Sequence, residues 1–215
     1  MKPEDVADYL QQHPEFFEEY ADTLAEIYIP HPHGGRTISI SERQILTLRE
    51  KSKQLETKLR EIIDFGEEND AIGEKIHRLT LALLGARDFT AALSAIYLSL
   101  GEDFAVPHVV VRVWRTGPGA ELAEFAPVSA TIRDFAASLS QPYCCVHAMV
   151  DTGTLFGEAA SHLRSFAYVP LRDREVFGLL ALASEDPQRF YPDMGTLYLK
   201  RIGELSAASL LCRLG

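Results

Sequence analysis

The chain contains no apolar run of the roughly 18 to 20 residues that a bilayer-crossing helix needs. Its longest strongly apolar stretch, Val176 to Ala183, is interrupted by Gly178, so no membrane span is expected. The start, Met1-Lys2-Pro3-Glu4-Asp5, is acidic and lacks the apolar centre of a signal peptide, which makes the cytoplasm the expected location. Cysteine is scarce: there are three, and two of them, Cys144 and Cys145, are adjacent. That is a poor basis for a disulfide framework, and reduced thiols are expected. Positive charge is also short. The formal net charge is -10, with ten basic against seventeen acidic residues over 1–85, a balance of -7, and -3 in the rest. Direct nucleic-acid binding requires a clustered cationic face that displaces counterions from phosphates, so proteins or small molecules are the expected partners. There is no Gly-rich phosphate loop, nucleophile elbow or zinc-protease helix motif, which leaves an enzyme as the minority reading without excluding one.

What is present suits a folded chain. At 215 residues, 47% hydrophobic and 24% charged, it can bury a core and is not a disordered polymer. Val6, Tyr9 and Leu10 have helical spacing behind Pro3, and Pro14 should end that first helix near His13 and open a second one carrying Phe16, Phe17, Tyr20 and Leu24. The segment Ile29-Pro30-His31-Pro32-His33-Gly34-Gly35 reads as a loop, because two prolines remove amide donors and two glycines permit positive φ. Ser39 and Glu42 then fit a capping box that starts a long helix.

From Ile45 the positions Leu48, Ser52, Leu55, Leu59 and Ile62 alternate by three and four, aligning one stripe along a slightly underwound helix. Around Gly66 the phase slips, and the stripe resumes as Phe65, Asn69, Ile72, Ile76, Leu79 and Leu83. A helix of about 40 residues is predicted, far beyond ordinary globular length, and it needs a partner. Two readings stand: self-association into a homodimer through Leu48, Leu55, Leu59, Ile62, Ile72, Ile76 and Leu79, or folding against the chain's own domain. Asn69 at the seam would fix register at a cost in stability.

After Gly85 the pattern changes. Asp88 caps a helix with Phe89, Leu93, Ile96, Tyr97 and Leu100, ending near Gly101. Val109 to Trp114 and Glu121 to Pro127 read as a hairpin around Gly117-Pro118-Gly119. Thr131 to Leu139 is helical and Tyr143 to Met149 a strand. Phe166 to Leu171 and Val176 to Ser184 are strands separated by Arg172-Asp173-Arg174-Glu175, and a final helix covers Pro192 to Leu214.

The run Ser165-Phe166-Ala167-Tyr168-Val169-Pro170-Leu171, then Phe177-Gly178-Leu179-Leu180-Ala181-Leu182-Ala183-Ser184 and Phe190-Tyr191, strongly resembles the last two strands and closing approach of a GAF domain. The N-terminal part, Val6-Ala7-Asp8-Tyr9-Leu10, His13-Pro14-Glu15-Phe16-Phe17, Ile29 to Gly35 and Glu42-Arg43-Gln44 with Leu48-Arg49, looks like the bacterial domain-of-unknown-function family four-eight-four. Together these resemblances imply an α+β fold: short helices and a loop over 1–40, a long coiled-coil-like helix over 41–84, and a GAF-like domain over 85–215 with a central antiparallel sheet flanked by helices. GAF domains bind cyclic nucleotides, tetrapyrroles or other small molecules on one face of that sheet, and many dimerise through flanking helices. The Asn-Lys-Phe-Asp-Glu signature of cyclic-nucleotide binders is absent here, so that ligand is not carried over and the cofactor stays unknown.

Candidate ligand-binding residues are Cys145, His147, Asp151, Arg164, Ser165 and Tyr168. Cys144, Cys145 and His147 are the densest reactive group, and a thiolate beside an imidazolium would be nucleophilic, although buried cysteines usually act as small apolar residues. Asp151, His162, Arg164 and Ser165 lie in or next to an irregular segment between Met149 and Phe166. Arg164 has a fork that matches carboxylate or phosphate, unless it is simply a solvated surface arginine. Trp114, Tyr168 and Cys212 are expected to serve packing. His31 and His33 are too few for a metal site, so no metal is expected. The leading reading is a non-catalytic, dimeric regulatory module that binds a small molecule or a protein partner. The alternatives are a reductase-like thiol enzyme using Cys145 with Cys144 and His147, and a structural domain whose pocket is filled by its own side chains.

Overall fold

A computed structural model describes residues 2–29, 38–115, 117 and 121–214, apart from the side chains of residues 24, 25 and 38–41. The chain divides into two compact units, Met1–Glu67 and Glu68–Gly215.

The first unit opens with α1 (Pro3–Gln12). Pro3 stands in the first turn, where a missing amide costs nothing, and the Asp5 carboxylate accepts from the Lys2 amide at 2.8 Å. Pro14 ends this helix as expected. The predicted second helix is two pieces, α2 (Phe16–Glu19) and α3 (Ala21–Glu26), broken at Tyr20. A two-residue ladder follows, β1 (Tyr28–Ile29) antiparallel to β2 (Ile38–Ser39), with Tyr28 opposite Ser39. The loop between them, with His31 and His33, lies outside the described residues, as does the Ser39 side chain of the expected capping box. The helix α4 (Ile40–Gly85) is 46 residues long, and its residues to Glu67 belong to this first unit. No side chain described in the first unit is buried.

The second unit takes α4 from Glu68 onward. It continues through α5 (Phe89–Leu98), a π turn at Ser99–Asp103, β3 (His108–Val113), a 3-10 turn at Ala123–Phe125, α6 (Ala130–Ser138), β4 (Tyr143–Cys145), α7 (Thr152–Phe156), a 3-10 turn at Gly157–Ser161, β5 (Ser165–Arg172), β6 (Val176–Ser184) and α8 (Leu197–Leu214). The four long-range strands form one antiparallel sheet in the order β3-β6-β5-β4. The class is α+β, as the pattern of elements predicts.

Strands β5 and β6 sit at the centre, so both of their faces are covered, and nearly every residue from Ser165 to Leu171 and from Phe177 to Ser184 is buried. Alternation divides them into two cores. On one face Ala167, Val169, Leu171, Leu180 and Leu182 pack with Leu79 and Leu83 of α4, with Phe89, Leu93 and Ile96 of α5, and with Ile202 and Leu210 of α8. On the other, Phe166, Tyr168, Leu179, Ala181 and Ala183 pack with Ile132 and Ala136 of α6 and with Val150, Leu155 and Leu163. Gly203 lets α8 close onto β5, since a Cβ there would overlap the Val169 side chain. The end of α4 is tied down by Arg213 of α8, whose guanidinium donates to the Leu83 and Ala86 carbonyls at 3.0 and 2.5 Å and so satisfies acceptors the helix cannot.

Four expectations are corrected. Glu121 to Pro127 is no strand: β3 pairs with β6 and is itself the sheet edge. That edge is closed by side chains, with the Val111 amide donating to the Tyr97 hydroxyl at 3.2 Å and the hydroxyl donating to Glu124 at 2.9 Å. The predicted strand over Tyr143 to Met149 ends at Cys145, where the chain bends away. Leu79, expected on the dimer stripe, is fully buried in the domain's own core, and Ile76 packs against the same core half-buried, because the stripe turns inward after the phase slip. Asn69 accepts a hydrogen bond from the Tyr198 hydroxyl of α8 at 3.1 Å, so its amide is engaged within this unit instead of serving a seam.

Tyr97 joins α5, β3 and the 3-10 turn through one hydroxyl, and burial pushes its ionisation up to about 12. Tyr97→Phe leaves the Val111 amide and the Glu124 carboxylate without that partner. It should lower stability by about 1–3 kcal/mol in urea unfolding, with unchanged far-ultraviolet dichroism.

Candidate functional site

Of the candidate residues only Cys145 and Tyr168 enter the same core; His147, Asp151 and Arg164 are exposed on the segment from Val146 to Arg164, and Ser165 stands out of phase with Phe166 and Tyr168 at the start of β5. Adjacent residues on a strand point to opposite faces. Cys144, opposite Ala167, therefore enters the helix-covered core, and Cys145, opposite Phe166, enters the other. The thiol pair that looked dense in sequence is split by the sheet. Burial, with a smaller contribution from Cys145, pushes the Cys144 thiol up to about 11. Burial also raises Cys145, against a partial offset from the His147 backbone. The Cys145 Sγ donates to the His147 carbonyl at 3.0 Å, so its partner is main chain and not imidazole, and the His147 side chain is exposed. Cys212, expected to pack, is exposed on α8.

Asp151 caps α7. It accepts from the Gly153 amide at 3.0 Å and from the Thr154 hydroxyl at 2.5 Å, and the Thr154 hydroxyl bond is the chief reason its carboxyl is held below the usual aspartate range. Ser165 is buried, with its hydroxyl donating to the Asp186 carbonyl at 2.6 Å. Arg164 is exposed and donates to the Ser161 and Leu163 carbonyls at 3.2 and 3.1 Å, bracing its own turn. Asp151 and Arg164 brace the segment over the sheet and Ser165 ties the start of β5 to the turn after β6, so the three offer little to a ligand.

Tyr168 is different. It is fully buried at the centre of the face, with Phe166 parallel to it at 6.2 Å and Phe135 edge-on at 5.2 Å. Its hydroxyl has no hydrogen-bond partner among the described residues. Burial, and secondarily Cys145, push its ionisation above the tyrosine range, while the Met149 backbone lies near enough to offset this in part without reaching hydrogen-bond geometry. A buried polar atom left unpaired costs stability, and such atoms are uncommon in folded proteins. In the segment that follows α7, Gly157 at φ 59° adopts a conformation that favours glycine and turns the chain into the next 3-10 turn. Among the described residues no group of three or more His, Cys, Asp or Glu side chains is arranged to hold a metal ion, and no helix is long and apolar enough to cross a membrane.

A family model described as "Protein of unknown function, DUF484" matches residues 1–212. The chain belongs to this family. Among curated relatives, this DUF484 chain is 24% identical over 204 residues to the uncharacterized protein YigA of Salmonella typhimurium, spanning 92% of this chain and 86% of that protein. Among solved structures, the GAF domain of the potassium sensor histidine kinase KdpD from Escherichia coli is similar at 16% identity and a TM-score of 0.39, over 65% of this chain and 93% of that one.

Three outcomes follow for this DUF484 chain. In the folded protein at pH 8 an alkylating reagent should modify Cys212 and leave Cys144 and Cys145 intact, giving one adduct by mass. Because the neutral Cys144 thiol is favoured by folding, its contribution to stability holds below the free-thiol value of 9.0 and is lost as pH rises through about 11. Tyr168→Phe removes the unpaired hydroxyl and keeps the ring, so it should raise unfolding stability by about 1 kcal/mol. A loss of stability would mean that the hydroxyl is partnered in solution.

Proposed function

We propose that the protein is a non-catalytic regulatory module of the cytoplasm. Two copies associate through the first half of the long helix, and the α+β domain responds to a small molecule or a protein partner at the Tyr168 face. One observation carries this reading. The N-terminal unit has no buried side chain among those described, yet Leu48, Leu55, Leu59, Ile62 and Phe65 are 58–68% exposed along its helix. Isolated soluble proteins rarely expose contiguous apolar surface on that scale, and water opposes it at about 25 cal/mol per Å².

Charge supports a second copy as the cover, lying parallel and in register. With Ile45, Ser52 and Leu59 at one seam position and Leu48, Leu55 and Ile62 at the other, Lys51 and Glu56 flank the seam five residues apart. That spacing joins opposite charges across a parallel pair of helices. An antiparallel pairing would instead bring Lys51 and Lys58 together on one side. Ser52 in the seam weakens the pairing and favours a dimer whose strength depends on concentration.

A thiol enzyme is less well supported. It needs an accessible nucleophile of low ionisation point, and both candidate thiols are buried and shifted upward. The regulatory reading is tested by light scattering on the full chain, which should give the mass of two 23.9 kDa protomers, falling to one on dilution. Leu55→Asp should weaken association by more than about tenfold, since one buried leucine contributes about 1.5–3 kcal/mol per protomer, and should leave the melting of the α+β domain unchanged. A wild-type monomer at every concentration would remove the dimer from this account.

A further inference from the structure

At the far end of the sheet, where β3 finishes, a shallow hollow of about 250 Å³ lies between the strand end, the segment from Phe125 to Pro127 and the first turn of α6. Its walls include Trp114, Phe125, Pro127 and two arginines, Arg115 and Arg133, and no acidic side chain lines it. The hollow itself is therefore positive on a chain of net charge -10, while Asp173 and Glu175 line the adjoining hollow on the other side of Trp114 and Arg115.

The two guanidiniums are uncommitted. Arg78 pairs with Asp103, and Arg164, Arg172, Arg189 and Arg213 donate to backbone carbonyls. Neither Arg115 nor Arg133 has an ion pair or a hydrogen bond among the described residues. The Arg133 guanidinium lies 6.0 Å from the centre of the Trp114 ring, which holds a cation at the wall without neutralising it. The indole is fixed in turn, its Nε1–H donating to the Val176 carbonyl at 3.0 Å. A rigid aromatic wall beside two unpaired forks matches a particular ligand chemistry: a flat apolar body for the indole and a carboxylate or phosphate for the arginines. The volume is just below the range of drug-sized sites and admits roughly one ring with its anionic group. Nucleic acid is a poor fit, because two cations at one spot do not track a phosphate backbone.

We infer that the Trp114 hollow is a binding site for a small anionic metabolite, its acid group taken by Arg115 and Arg133 and its apolar part resting on Trp114. Of the residues lining the hollow, Trp114 also packs against the core that holds Tyr168, but the site uses neither the Tyr168 hydroxyl nor a second copy of the chain. Its failure would therefore leave the regulatory reading standing, and failure of that reading would leave the site standing.

Trp114 is the single tryptophan of the chain, so its emission reports directly on the hollow. The full chain is titrated with phenyl phosphate, with phenol as the uncharged control and inorganic phosphate as competitor. The expected result is a saturable change in tryptophan emission with phenyl phosphate at or below about 10 mM. Phenol should give no saturation over that range, and inorganic phosphate should shift the midpoint upward. The double variant R115Q/R133Q should bind about tenfold or more weakly and melt close to the wild type, since neither side chain has an ion pair or hydrogen bond to lose and the exposed contact of Arg133 with Trp114 contributes only weakly to stability. If that variant does not fold, added salt replaces it as the test, and the wild-type midpoint should rise with ionic strength. No saturation with phenyl phosphate, equal saturation with phenol, or an affinity unchanged by the double substitution or by salt would overturn the assignment.

Discussion

The stripe of apolar side chains along the 46-residue helix has to be covered, and the rest of the molecule is arranged by how each half is covered. From Ile76 onward the stripe is absorbed inside the chain: Leu79 and Leu83 are buried against the sheet, and Arg78 anchors the helix to Asp103 at 2.9 Å. Before the phase slip near Gly66 the same kind of stripe lies open, and the short helices that precede it have no buried residue of their own among those described. The slip stands beside the boundary between the two compact units. A single helix thus carries two apolar stretches, one buried in the domain's own core and the other exposed along the first unit.

The helix-covered core explains why the domain can carry a second face at all. Because α4, α5 and α8 seal one side of the sheet, the central strands are held by that side, and the opposite side is free to be covered by irregular chain. Asp151 and Arg164 spend their hydrogen-bonding capacity on shaping that cover and Ser165 on the Asp186 carbonyl beyond β6, and Tyr168 is the polar group of that core with no hydroxyl partner among the described residues. The hollow at Trp114 lies at the rim of that same face, where β3 ends and its indole packs against the edge of the Tyr168 core.

Much of this was legible in the residues. The continuous apolar runs of β5 and β6, split by Arg172-Asp173-Arg174-Glu175, announce central strands, and Asp88 and Pro14 mark helix boundaries where the structure has them. What escaped depended on contacts distant in sequence. Glu121 to Pro127 looked like a hairpin partner because its composition suits a strand, but the edge it would have paired with is closed by Tyr97 from a helix fourteen residues upstream of Val111. Cys144 and Cys145 looked like one reactive centre because adjacency in sequence hides the alternation of a strand. Leu79 looked like its counterparts nearer the N-terminus because a heptad pattern is the same whether it meets a sheet or another helix. The arginine pair at Trp114 is assembled from a strand end and a helix eighteen residues apart, with no local signal in either.

The most direct test of this account is hydrogen exchange along α4 in the full chain at low and at high protein concentration. The account predicts that amides over roughly 72–85 are protected at both concentrations, whereas those over roughly 45–65 become protected only as concentration rises, because their cover comes from a second chain. Exchange over 45–65 that is independent of concentration, whether fast or slow, would contradict it.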